Sequence, residues 1–193
     1  MKLAIVVGST RENRVSLRQA KWVLNEANSV AGEHDWELVD LKDFDLPFMT
    51  EAFPPMGNKR PELSDGTKAY LQKMGEADGF IIVTPEYNHG MPAALKNAID
   101  LIDYQLVKKP VGIMSHGVVG GARANEQVRL VVNSNLGGLP IPASHTFYGK
   151  VGELISEDGV IADGQEMNER AARRVIESLV WHADALKAAR EKQ

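Results

Sequence analysis

The 193-residue chain contains no cysteine. That absence excludes disulfides, thiol redox chemistry, iron–sulfur ligation and a thiolate nucleophile. If the protein moves electrons, a bound organic cofactor must carry them. Long apolar runs are also missing, and the longest falls far short of the roughly 18 residues that a membrane span needs. Charge of one sign is scarce as well. A formal net charge of -4, with no Lys/Arg run, gives no general attraction to nucleic acid. Metal-binding spacings are poor: no His-x-x-His occurs, and Glu86-Tyr-Asn-His89 has its Glu-x-x-His spacing in a loop ahead of Pro92 rather than on a helix. No metal site is expected.

What is present suits one soluble domain over residues 1–193, with 44% hydrophobic and 25% charged residues. The apolar run Leu3–Gly8 is too short for a signal peptide and ends in a turn sequence. It therefore reads as a first strand, and the expected location is cytoplasmic. Strands are expected at Leu3–Gly8, Trp36–Leu41, Gly79–Thr84, Pro110–Ser115 and Leu139–Ala143. Helices are expected at Ser16 to Ala31, Glu62 to Glu76, Met91–Asp103, Ala122–Asn135 and Gln165 to Arg190. Strict alternation of strand and helix implies a doubly wound five-stranded parallel sheet of order 2-1-3-4-5. The proline-rich connection Lys42–Pro61 is long enough to be functional, mobile or simply a stiffened surface link.

Three strand-to-helix loops carry the polar chemistry, at the sheet edge where open α/β folds bind ligands. Gly8-Ser9-Thr10-Arg11-Glu12-Asn13-Arg14-Val15-Ser16 joins hydroxyls and arginines to the amides of a helix N-terminus, an arrangement that favours an anion. Ser16 also fits a local capping box with Gln19. Pro85-Glu86-Tyr87-Asn88-His89-Gly90 is a loop stiffened by prolines, whose inward amides suit the edge of a flat heteroaromatic ring. Within it Asn88 reads equally as a turn former with positive φ, and Glu86 as a helix cap or an intersubunit partner. Ser115-His116-Gly117-Val118-Val119-Gly120-Gly121-Ala122-Arg123-Ala124 has three glycines that permit close backbone approach to a ligand.

Together these loops resemble the signature of the NADPH-dependent FMN reductase family, whose fold is flavodoxin-like. The resemblance implies that the Gly-Ser-x-Arg…Ser segment, here Ser9, Arg11, Val15 and Ser16, holds the ribityl phosphate of FMN. It implies that Pro85, Glu86, Tyr87, Asn88 and His89 border the flavin ring, and that Ser115, His116 and Gly117 close over its pyrimidine side. NADPH or NADH would be the electron donor in a ping-pong hydride mechanism. The acceptor would be a small molecule: a quinone, an azo or nitro compound, a metal oxyanion or free flavin. The resemblance further implies a homodimer or homotetramer, for which the broad apolar band of Met91–Asp103 offers a face. No residue is singled out as a chemical catalyst. A non-enzymatic flavodoxin-type electron carrier and a flavin-fold binding protein are the alternatives.

Overall fold

A computed structural model describes residues 1–58, 60, 62–134 and 136–192. Pro61 and Asn135, the expected ends of the long connection and the fourth helix, lie outside the described residues. The chain runs β1 (Lys2–Val7), α1 (Val15–Val30), β2 (Asp35–Asp40), a 3-10 turn (Leu41–Asp43), α2 (Asp65–Glu76), β3 (Gly79–Pro85), α3 (Ala93–Asp100), β4 (Pro110–His116), α4 (Ala122–Val132), β5 (Leu139–Thr146), α5 (Val151–Leu154) and α6 (Glu166–Arg190). All four strand pairings are parallel, and the order is β2-β1-β3-β4-β5. This is the flavodoxin-like order expected from the alternation of elements.

The continuous apolar runs have a direct cause: the sheet is covered on both faces. Leu3, Ile5, Val7, Ile81 and Val83 face one layer with Trp22, Val23, Ile176 and Leu179 of α1 and α6. Ala4, Val6, Phe80 and Ile82 face the other layer with Tyr70, Leu71, Leu95 and Val128 of α2, α3 and α4. Every residue of β3 and β4 is buried, which fixes both strands at the centre and their carboxyl ends at one rim. Among the described residues, no helix is long and apolar enough to cross a membrane.

Boundaries moved where caps and tertiary contacts outweighed the apolar pattern. The second helix starts at Asp65 rather than Glu62, because Ser64 caps it by accepting from the amide of Thr67. The third helix ends at Asp100, and its apolar band is buried within this chain: Leu95, Ala98, Ile99, Leu101 and Ile102 are all at most 2% exposed. Asn97 lays the long connection along that helix, receiving the amide of Met49 at 3.1 Å and donating to the carbonyl of Pro47 at 2.9 Å. The band therefore does not itself need a second subunit. The fifth strand runs on to Thr146, and its Pro140 and Pro142 are accommodated because β5 lies at the sheet edge. The segment after it, with the short α5 and an antiparallel bridge between Ile155 and Ile161, had no periodic signal. It packs on α1 through Lys21 and Asn25, which donate to the carbonyls of Glu157 (2.9 Å) and Gly159 (3.1 Å).

Candidate functional site

The first loop leaves β1 through Gly8, whose amide donates to Val83 at 2.8 Å; a Cβ there would lie 2.9 Å from the same carbonyl oxygen. Ser9 follows, fully buried, while Thr10 and Arg11 are exposed. The two arginines of the loop have separate fates. Arg14 is nearly buried, forms an ion pair with Asp40 at the end of β2, and donates to the carbonyl of Arg11 at 3.4 Å. Asp40 in turn accepts the amide of Lys42 at 3.1 Å, so this pair locks the loop to β2. Arg11 has no ion-pair partner among the described residues, and its guanidinium lies 4.0 Å from the centre of the Tyr87 ring. Glu12, the one carboxylate of the loop, is held by Lys42 at 2.7 Å.

Helix α1 begins at Val15, one residue earlier than expected, with Arg14 in the cap position and no side chain capping it. The capping-box reading of Ser16 is thereby corrected. Its hydroxyl is 2.9 Å from Nε2 of His116, a partner 100 residues away, and both side chains are buried. With no cap and no acidic residue in its first turn, the helix end leaves its dipole unopposed. An anion is the complementary group.

The second loop is built as a rigid hairpin-like turn. Tyr87 and Gly90 exchange backbone hydrogen bonds of 2.8 and 3.0 Å, and Asn88 (φ 49°) and His89 (φ 67°) take left-handed conformations between them. Asn88 is thus the turn former its residue type suggested. The expectation of inward amides needs revision: Glu86 donates its amide to His116 at 2.9 Å, and the Tyr87 amide serves the turn. Side chains make the other ties. The Tyr87 hydroxyl lies 2.7 Å from Oγ of Ser9. Glu86 neither caps the following helix nor waits for a subunit. It accepts from the backbone amide of Arg123 at 3.0 Å and from its guanidinium at 2.7 Å, capping α4. Burial raises the Glu86 carboxyl, but these donors outweigh it and hold the pKa below the ordinary value. Met91 donates its amide to Gln127 at 2.8 Å, a second prop from α4.

The third loop leaves β4 at His116. Ser115 donates to Gly120 at 2.9 Å and accepts from Asn125 at 3.2 Å, which folds the glycine turn back on its own strand. Gly120 and Gly121 have φ of 71° and 77°, and a Cβ on Gly121 would come within 2.6 Å of the His116 carbonyl oxygen. His116 is neutral at pH 7, because burial pushes its pKa down to about 4. Val15, His116 and Gly117 face a cavity of about 610 Å³ that reaches Tyr148.

All twelve expected residues thus lie along one rim, in three loops joined by Ser9–Tyr87, Ser16–His116 and Glu86–His116. Within it, Ser9, Thr10, Arg11 and the open end of α1 fit the phosphate of FMN: donors only, with the loop's carboxylate engaged elsewhere. The Tyr87 turn and the Gly117–Gly121 turn supply walls for a flat ring. Asp40 and Gln127 escaped sequence reasoning, because each acts through a partner distant in sequence and neither lies in a recognisable motif. Arg123 closes the Ser-x-Gly-x-x-Gly-Gly-x-Arg segment, but its tie to Glu86 was not foreseen. Among the described residues, no group of three or more His, Asp or Glu could hold a metal ion.

The profile of the family described as NADPH-dependent FMN reductase matches residues 1–170. A NAD(P)H-dependent FMN reductase of Schizosaccharomyces pombe is 37% identical over 130 residues, which are 67% of this chain and 64% of that protein. The match therefore spans just under two thirds of the relative's length. A quinone reductase of Escherichia coli is 46% identical over a shorter 71 residues, 34% of this chain and 38% of that one. Among solved structures, FerB of Paracoccus denitrificans, a flavoenzyme NAD(P)H:(acceptor) oxidoreductase, superposes with a TM-score of 0.74 at 19% identity. It covers 94% of this chain and 98% of its own, which shows a shared fold.

Proposed function

The chain belongs to the NADPH-dependent FMN reductase family, and from that membership we propose that it is an FMN-dependent oxidoreductase drawing electrons from NADPH or NADH. The observation that carries this reading is the pairing of an uncapped α1 N-terminus with Arg11, whose charge has no ion-pair partner among the described residues. FMN, when bound, supplies a ring that takes a hydride and hands its two electrons on.

The residues of the chain bind, orient and enclose. Ser9, Thr10, Arg11 and the first-turn amides of α1 hold the phosphate. Tyr87 and its turn set the ring's edge, and Gly117 with its neighbours allows the backbone close approach. Neutral His116, fixed by Ser16, presents an uncharged imidazole to the site at pH 7. Nicotinamide donor and acceptor would use the same exposed face of the ring in turn, which gives ping-pong kinetics. The acceptor is a small oxidant from the class of quinones, azo or nitro compounds, metal oxyanions or free flavin, and a quinone is favoured by the likeness to the quinone reductase of Escherichia coli, 46% identical over 71 residues.

We further propose a cytoplasmic homodimer, or a tetramer of such dimers. The face is not the buried band of α3 but the exposed side chains Phe48, Phe53 and Leu130, which are 76%, 68% and 72% exposed. Light scattering at micromolar concentration tests it, and a species of only 21 kDa would exclude it.

The function itself is tested by loading the protein with FMN, removing the excess, recording the visible spectrum and then measuring NADPH and NADH oxidation with a quinone. Retained colour with turnover supports the enzyme. Colour without turnover supports the electron carrier, and loss of colour supports a binding protein of the same fold.

A further inference from the structure

The first and third loops meet at one side-chain contact. Ser16 is the second residue of α1, and its Oγ lies 2.9 Å from Nε2 of His116, the last residue of β4. Both side chains are buried. The histidine backbone is already fixed: it pairs with Pro85 in the β3–β4 register, and its carbonyl accepts the amide of Glu86 at 2.9 Å. Rotation of the imidazole about its side-chain bonds is the freedom that is left, and the bond to Ser16 restricts it.

That bond has a direction. A hydroxyl carries one proton and donates once, whereas its oxygen accepts twice. The groups left open at the start of α1 are first-turn amides, all of them donors, with no side chain capping them. Among the described residues, Nε2 of His116 is the one hydrogen-bond partner of the Ser16 hydroxyl. Were the imidazole the donor, the hydroxyl proton would be buried without an acceptor, which is costly. Ser16 therefore donates to Nε2. Burial keeps His116 neutral at pH 7, with its pKa pushed down to about 4, so its single ring proton sits on Nδ1. Nδ1 has no partner among the described residues, and His116 lines the cavity of about 610 Å³ with Val15 and Gly117.

The same proton settles a second matter. An ionised phosphate oxygen accepts, so a hydroxyl that holds it must give its proton to it. Ser16 cannot serve Nε2 and a phosphate at once. Thr10 and Arg11, both exposed, and the first-turn amides supply the phosphate end without it. We propose that Ser16 is a positioning residue for His116 and not a ligand of the phosphate. It holds the imidazole as the Nδ1–H tautomer, and the cavity wall thereby offers a neutral donor to an acceptor atom, a carbonyl oxygen or ring nitrogen, on the polar edge of the flavin. This inference rests on the function proposed above and reassigns one residue of its site from the phosphate to the ring.

The test reads the histidine directly, in long-range proton–nitrogen spectra of apoprotein carrying isotope-labelled histidine. At pH 7 wild-type His116 should show a protonated Nδ1 and a bare Nε2. Ser16→Ala should give a mixture of tautomers, and Ser16→Thr, which keeps the hydroxyl, should restore the wild-type pattern. Titrations with FMN and with riboflavin, followed by fluorescence quenching, separate the two assignments of the hydroxyl. Ser16→Ala should weaken both ligands by about three- to tenfold and leave their ratio within about twofold of wild type, because the lost donor serves the ring. Arg11→Ala should lower the ratio instead. A protonated Nε2 in wild type, an unchanged spectrum in Ser16→Ala, or a ratio that falls in Ser16→Ala as far as in Arg11→Ala would overturn the inference. Wild type that binds neither flavin would overturn the proposed function, and the apoprotein spectrum would still locate the proton on His116.

Discussion

The hydroxyl of Tyr87 lies 2.7 Å from Oγ of Ser9, and the guanidinium of Arg11 rests over the same ring at 4.0 Å. Two loops separated by 78 positions in sequence are thereby one unit: the side chains of the phosphate end hold the wall of the ring end. Tyr87→Phe removes the hydroxyl contact and should weaken FMN binding by about 1 kcal/mol. Tyr87→Ala also removes the surface under Arg11, a stacking contact of about 0.5–1 kcal/mol at an exposed site, so its loss should approach or exceed tenfold. Fluorescence quenching of FMN measures both. Wild-type affinity in Tyr87→Ala would show that the two loops act independently.

Arg11 and Arg14 should respond in opposite ways. Arg14→Ala strands Asp40 in a nearly buried place, where breaking an ion pair costs about 3–5 kcal/mol of stability. Arg11→Ala should leave the unfolding free energy of the apoprotein, measured in urea, within about 0.5 kcal/mol of wild type, since Arg11 is exposed. Equal destabilisation by the two changes would contradict the division of labour between them.

Glu86 should matter more to stability than its partner Arg123. Glu86→Ala removes both the cap of α4 and the tie between the ring loop and the glycine turn, a loss of about 1–2 kcal/mol. The Arg123 side chain is 49% exposed, so Arg123→Ala should cost less than about 1 kcal/mol, its backbone amide still reaching Glu86. Urea denaturation of the two variants gives the order directly, and a larger loss in Arg123→Ala would reverse it.

Acid should weaken the fold before the carboxylates titrate. Burial pushes the imidazoles of His116 and His145 down to about 4 from the ordinary 6.5; for His145, Asn168 opposes part of that shift. Between those values the unfolded chain binds more protons than the folded one, so stability is complete above pH 6.5 and is lost as pH falls towards 4. Each group contributes on the order of 3 kcal/mol over that window. His145→Gln should flatten the fall in urea midpoint between pH 6.5 and 4.5. An unchanged slope would show that the His145 imidazole takes up its proton without cost.

The sheet order was legible because strands buried on both faces read as uninterrupted apolar runs, and helices between them read by their stripes. The rim was legible because three loops with unusual polar and glycine content each follow a strand. What stayed hidden was pairing across long sequence distances. The local pattern at Ser16 pointed to a capping box, yet His116 claims its hydroxyl. The amides of the ring loop looked free, yet two of them are engaged by His116 and Gly90. The broad band on α3 suggested a subunit interface, yet Leu95, Ala98, Ile99 and Ile102 are buried in this chain's own core beside the sheet. Residues 147–164 have neither periodicity nor length enough to announce α5, although they form one wall of the cleft at loop three.

The most direct measurement is the affinity of the apoprotein for FMN beside that for riboflavin, in wild type and in Arg11→Ala. The two ligands share the ring and ribityl chain and differ by the phosphate that Ser9, Arg11 and the open end of α1 are placed to hold. Wild type should prefer FMN strongly, and Arg11→Ala should lose about 1.5–3 kcal/mol of that preference while its riboflavin affinity stays near that of wild type. Equal affinity of wild type for FMN and riboflavin would contradict a phosphate site at this rim.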